Sequence, residues 1–188
     1  MCWGRCYCPG DVLYVSDMLS VLLVGLVTYL LTSLLGYVVH WAIHQRWAGK
    51  AYRAHRAHHI DLYPPGRLIS EEYRDAGAQS TIYTFLLAFS PLLLLPIVLW
   101  LCGVFTLAHA LVAIGAMGLV GLLNDIIHDS YHVKRHWLSQ VIPGYNRMRQ
   151  LHFVHHVNMK RNFGIYSFIW DKIFKTYREG VKSGTAWW

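Results

Sequence analysis

Charge is scarce in this 188-residue chain. Only 14% of it is Asp, Glu, Lys or Arg, against roughly 25% in soluble domains. Acidic side chains are rarer still, ten against seventeen basic ones. Cysteine is nearly absent as a functional element. Cys2, Cys6 and Cys8 form CxxxCxC, which matches no standard zinc spacing. With Cys102 they leave a disulfide in an oxidising compartment as the one option. The glycine fingerprint of dinucleotide binding is missing, as are a haem motif and HExxH. No linker or low-complexity segment divides the chain, so residues 1–188 read as a single domain. Together these absences exclude an ordinary soluble domain and a flavin- or nicotinamide-binding enzyme. They also remove the usual signature of a zinc peptidase.

What replaces charge is apolar length. Three stretches, about 12–39, 82–101 and 104–127, each reach the roughly 20 residues a helix needs to cross a bilayer. Pro91 and Pro96 lie inside the second, where membrane helices tolerate them, and they predict a kink. A short turn at Cys102-Gly103 sends the chain back. The first stretch lacks the basic leading end and cleavage site of a removable signal. Of the seventeen Lys and Arg, only Arg5 precedes the first span; the others lie between Arg46 and Arg74 or between Lys134 and Lys182. The positive-inside rule then places those segments in the cytoplasm and the N-terminus outside or in a lumen. The net charge of +7 suits anionic headgroups and calls for no nucleic acid.

Histidine is the other excess. Ten of the twelve fall into four clusters. His40 and His44 form HxxxH. His55, His58 and His59 form HxxHH. His128 and His132 repeat the first pattern; His152, His155 and His156 repeat the second. Residues three or four apart share a helix face, so each cluster aims its imidazoles at one place. With three crossings, all four clusters reach the same side of the membrane. Imidazole suits iron, zinc, copper and nickel. Ten donors are too many for one ion and about right for two. Asp125 and Asp129 are the natural partners for the second ring nitrogen of a ligand histidine, with His136 a further candidate. Asp171 reads as structural, holding the tail by an ion pair. His128 to His136 reads as one continued helix, and Pro143-Gly144 as its break. Residues 60–79, with Pro64-Pro65-Gly66, read as a polar connector along the interface. His109 lies 19 residues before His128 on the same span, roughly 28 Å away along a helix, and cannot join the site.

The order HxxxH, HxxHH, HxxxH, HxxHH, followed by NFGIYSFIWDKIFKTY, resembles the fatty acid hydroxylase/sterol desaturase superfamily. The likeness runs from about Ser33 to Tyr177. The likeness fits an all-α integral membrane bundle with a cytosolic, histidine-lined helical cap, here of about three spans by its apolar stretches where many members show four. It also implies that all ten clustered histidines bind metal, as two iron ions, with zinc able to substitute in purified protein. Dioxygen is then the co-substrate. The substrate is a lipid such as a fatty acyl chain, sterol or carotenoid, hydroxylated or desaturated. HDSYHVKRHW is similar to the carotenoid hydroxylases of the wider family. Without a cofactor-binding motif of its own, the chain needs electrons from an external reductase, ferredoxin or cytochrome, for which Lys134-Arg135 and Lys160-Arg161 offer basic docking patches. Two other classes compete. A zinc hydrolase needs a general base that no motif here supplies. A metal transporter needs ligands at mid-membrane depth, whereas these clusters sit at the span ends.

Overall fold

The computed structural model describes residues 9–74 and 84–180, with side chains from Asp17 onward. Cys2, Cys6 and Cys8 lie outside the described residues. Cys102 is an exposed free thiol. The architecture is all helical. The helices are α1 (Pro9–Ile43), α2 (Lys50–Ala57), α3 (Thr84–Phe89), α4 (Leu94–Leu101), α5 (Leu107–Tyr131), α6 (Leu138–Val141), α7 (Tyr145–Val157) and α8 (Ile169–Ile173).

Three segments are long and apolar enough to cross a membrane: Asp17–Ile43, Thr84–Leu101 and Leu107–Tyr131. Their outer faces expose rows of Leu and Val, including Leu19, Leu22, Leu26, Leu111 and Leu119. Such a surface is stable only against lipid. A helix suits it because every backbone N–H and C=O is satisfied within the segment. The second span bends where proline predicts it. Residues Ser90–Leu93 tighten into a 3-10 turn between α3 and α4, because a proline lacks the N–H that an α-helix interior needs.

The third span, α5, is the centre of the bundle and packs against α1, α3 and α4. Gly121 lets α3 come close. A Cβ there would lie 3.1 Å from the Cα of Leu86. One turn on, Asp125 turns its carboxylate to the start of α3 and accepts from the backbone N–H groups of Phe85 and Leu86, both at 3.0 Å. Asp125 is therefore a helix cap, which corrects its assignment as a partner of the histidines. Two backbone N–H groups of α3 thus take the carboxylate that its sequence position offered to a ring nitrogen.

α5 also ends earlier than its pattern predicts. Past Tyr131 the chain turns and forms an isolated parallel bridge between Val133 and Ser70, with Ser70 N–H donating to His132 O and Lys134 N–H to Ser70 O, both at 2.9 Å. Arg149 secures the turn by donating to the carbonyls of Tyr131 and Val133. The connector thus becomes part of the core. Its Tyr63 and Leu68 are buried. Gly144, at φ 74°, opens α7 where the Pro143-Gly144 break was expected.

Replacing Asp125 with Ala should lower stability by about 1–2 kcal/mol through the lost cap. The check is a lower melting temperature in detergent with unchanged metal content in the folded fraction. Metal loss from that fraction would return Asp125 to the site.

Candidate metal centre

Each cluster sits where a helix reaches the end of the membrane-spanning bundle. The last turn of α1 carries His40, and His44 follows one residue past its end. α2 carries His55 and passes into a π-helical turn, His58–Leu62, that holds His58 and His59. Such turns recur at functional sites because they rotate consecutive side chains out of α-helical register. His128 lies in the final turn of α5, and His132 caps it. α7 supplies His152, His155 and His156. All but His44 are buried.

Nine of the ten sort into two groups. His40, His44, His55, His59 and His155 form one, and His58, His132, His152 and His156 the other; within each, one donor atom per residue lies within 4.8 Å of all the others. His128 stands beside the second group. Its ring centre is 4.8 Å from those of His58 and His152, and its Nε2 is buried without a partner. The middle histidine of each HxxHH crosses over. His58, from the first half of the chain, joins the second group, and His155, from the second half, joins the first. Cluster spacing alone carries no sign of this exchange.

The Nε2 atoms face one another. In the first group His44 and His155 are 2.9 Å apart, His44 and His55 3.0 Å, His55 and His59 3.1 Å, and His40 and His55 3.2 Å. In the second, His152 is 3.1 Å from both His132 and His156. The opposite nitrogens are engaged by the backbone. Nδ1–H of His40 donates to Phe163 O at 2.6 Å, and that of His155 to Arg161 O at 2.7 Å. His132 donates to Leu68 O at 2.8 Å and His156 to Tyr63 O at 3.0 Å. A carbonyl only accepts, so in these neutral rings the proton is on Nδ1 and Nε2 presents a lone pair. One Nε2–H can serve only one neighbour, yet His55 Nε2 faces three and His152 Nε2 faces two, so lone pairs are left facing one another unless a cation lies between them. Two nitrogens each about 2.1 Å from one ion, at a right angle, are about 3 Å apart. The donor set therefore fits one metal ion in each group. Neither group contains a carboxylate.

The carbonyls come from two separate scaffolds. Residues 161–163 serve the first group and residues 63–68 the second. Asp171 holds the first scaffold. It is fully buried and accepts from Phe163 N–H, Gly164 N–H and the Thr176 hydroxyl, each at 2.7 Å. Its structural role stands, but hydrogen bonds replace the expected ion pair, because the carboxylate is enclosed by these donors. Gly164 is required beside it: a Cβ would lie 2.2 Å from Ser167 O. Asn162 ties the same loop to Leu151 O and Arg178 O. NFG and WD thus have a legible purpose that histidine spacing alone missed. Asp129 accepts from His128 Nδ1 at 3.1 Å, as its position next to that residue suggests. His136 joins neither group: its Nδ1 accepts from Leu138 N–H and its ring stacks on Trp137, though it lines a small cavity with Asp129. The end of α5 at Tyr131 turns it away. His109 belongs to the other end of the span, where it caps α5 and meets Ser20.

Burial first, and mutual repulsion second, hold His55, His58, His59, His132, His152 and His155 well below the usual imidazole range. Burial also pushes His44 down to about 4 and His156 to about 3. These rings are neutral at physiological pH, which is the form that binds metal.

A bundle with three membrane-length helices, ending in two nitrogen-only ligand groups, defines an integral membrane protein built to hold metal. The chain belongs to the fatty acid hydroxylase family, whose model matches residues 25–176, within the fatty acid hydroxylase/sterol desaturase superfamily. The match includes all ten clustered histidines and Asp171. No curated protein and no solved structure matches the chain.

Metal analysis should find two ions per chain. His155→Ala should lower that number, while His109→Ala leaves it unchanged. Asp171→Ala should release the 161–164 loop and cost the first group its ion before the second, seen as a fall toward one ion in the folded fraction. Retention of both ions would remove Asp171 from any part in the site. The metal-free protein should also be acid-labile. Its unfolded histidines take up protons near pH 6.5, while folded His44 resists until about 4. Stability is therefore complete above the unfolded value and is lost as pH falls between the two. Melting temperatures recorded from neutral pH downward should decline across that window.

Proposed function

We propose that this protein is a di-iron oxygenase that hydroxylates, or less favourably desaturates, a C–H bond of a membrane lipid. The observation that carries the reading is the pair of adjacent histidine-only ligand groups at one end of a membrane bundle. Family membership supports it. Iron supplies the redox chemistry with dioxygen that zinc lacks. Zinc would still occupy such nitrogens in purified material, since it binds them more tightly than ferrous iron.

The protein's own part is to position and to insulate. Backbone carbonyls fix the tautomer and direction of His40, His132, His155 and His156 before any ion arrives, and Asp129 does so for His128. Burial keeps bulk water from nearly every ring. The neutral ligands would leave the positive charge of two bound iron ions uncompensated. For hydroxylation, one atom of dioxygen enters the C–H bond and the other leaves as water, with two electrons and two protons supplied from outside. For desaturation, both oxygen atoms leave as water and the lipid loses two hydrogens. An external reductase, ferredoxin or cytochrome provides the electrons, docking on the basic face beyond the span ends. Lys134 contributes little there, because it is paired with Glu71 at 2.8 Å. The positive-inside bias puts this face in the cytoplasm. A hydrolase reading has less support, as no HExxH or similar Glu-bearing motif that would supply its general base is present.

The test uses purified protein with ferrous iron, a reductant system and labelled dioxygen. Hydroxylated lipid should carry the label, and turnover should stop without air or without the donor. Desaturation would consume oxygen and leave the lipid unlabelled. Product formed anaerobically, or oxygen taken only from water, would defeat the oxygenase reading, because a metal-dependent hydrolase draws its oxygen from water.

A further inference from the structure

Two cavities of ligand size stand out beside the histidine groups. One of about 550 Å³ lies within the spans between α1, α4 and α5, and apolar side chains such as Leu23, Leu35 and Leu99 line most of it. No clustered histidine touches it. Its polar residues, Ser20, Thr28 and Thr32, carry no charge that would select an ionic head. The other, of about 480 Å³, opens at the end of the bundle and is lined in part by Trp41, His44, Tyr52, Arg56, Lys160 and Phe163. Its size is typical of a small-molecule site.

We infer that this second cavity seats the head of the substrate, and that the head is anionic. The inference rests on the oxygenase reading for the word substrate, but not for the binding. Three observations carry it. His44 lines the cavity and also belongs to the first ligand group, and it is the one clustered histidine that is not buried. The cavity is therefore the route from outside to a metal group. Its walls are amphipathic in the right order. Trp41 belongs to the last turn of the first span, while Arg56 on α2 and Lys160 after α7 lie beyond the spans. An amphiphile with its chain toward the bilayer and its head outward matches that gradient.

Charge then selects the head. Two cations line the cavity and no carboxylate does. Neither Arg56 nor Lys160 forms an ion pair among the described residues. A carboxylate or phosphate gains charge-assisted hydrogen bonds there. A sterol, carotenoid or ceramide head offers these cations no opposite charge. The occupant is thus a lipid whose own head carries the anion, rather than a bystander headgroup resting against the surface.

The experiment measures binding to the zinc-loaded full chain in nanodiscs of neutral lipid, where no turnover occurs. The probes are palmitate, hexadecanol and inorganic phosphate. Palmitate should bind at least about tenfold more tightly than hexadecanol, the scale of one good hydrogen bond to a charged group. Arg56→Gln with Lys160→Gln should bring the two within about twofold to threefold of each other. Lys50→Gln with Arg53→Gln removes the same charge from α2 outside the cavity and should leave the preference intact. Equal binding of palmitate and hexadecanol in the unaltered protein overturns the inference. So does an equal loss in the control pair, which would mean general surface charge. Displacement of palmitate by inorganic phosphate at similar concentration overturns it too, because the cations would then serve any free anion. The two readings fail separately. If no lipid is oxidised but the preference follows Arg56 and Lys160, the oxygenase reading falls and the anion site stands. If neutral and anionic lipids are hydroxylated alike, the anion site falls and the oxygenase stands.

Discussion

The hydrogen bond from a histidine Nδ1–H to a backbone carbonyl is the interaction on which this structure turns. It fixes which nitrogen carries the proton, and so which one is free to bind metal. Phe163, Arg161, Leu68 and Tyr63 provide those carbonyls for His40, His155, His132 and His156. None of the four lies within a histidine cluster. The clusters supply donors, but the segments between and after them supply direction. Asp171 and Gly164 on one side, and the Ser70–Val133 bridge on the other, keep those segments in place.

Holding so many unsatisfied lone pairs close together is costly. His58 has both ring nitrogens buried without a partner, and His59, His128 and His152 each have one. Buried polar atoms left unpaired destabilise a fold. The bundle offsets this with a dense aromatic and aliphatic core formed by Phe85, Phe89, Val120, Tyr131, Tyr145 and Phe153. Tyr131 and Tyr145 also bond to Ile165 O and the Ser130 hydroxyl, so the core is fastened across α5, α7 and the tail. Bound metal ions would relieve His128 Nε2 and one nitrogen of His58, which would couple folding to metal loading.

Much of this was legible in the sequence. Apolar length gives the three spans, proline gives the break in the second, and helical spacing gathers the histidines at one end. These features depend on local periodicity, which a sequence displays directly. What escaped depends on long-range contacts. Asp125 has the right neighbours for a histidine partner, yet the N-terminus of α3 claims it from some 40 residues away. His136 continues the face of His128 on paper, but the pairing of Val133 with Ser70 ends the helix first. The connector looked like an interfacial loop because its composition is polar, while its carbonyls, invisible to composition, serve the second ligand group. Asp171 was legible as structural, but its partners are backbone amides with no side-chain signature.

The crossing of His58 and His155 has a consequence of its own. Each half of the chain carries five of the ten clustered histidines, yet neither half fills its own group, because each lends its middle HxxHH histidine to the other. Loading with metal is thus a property of the joined halves and tests that they have docked correctly.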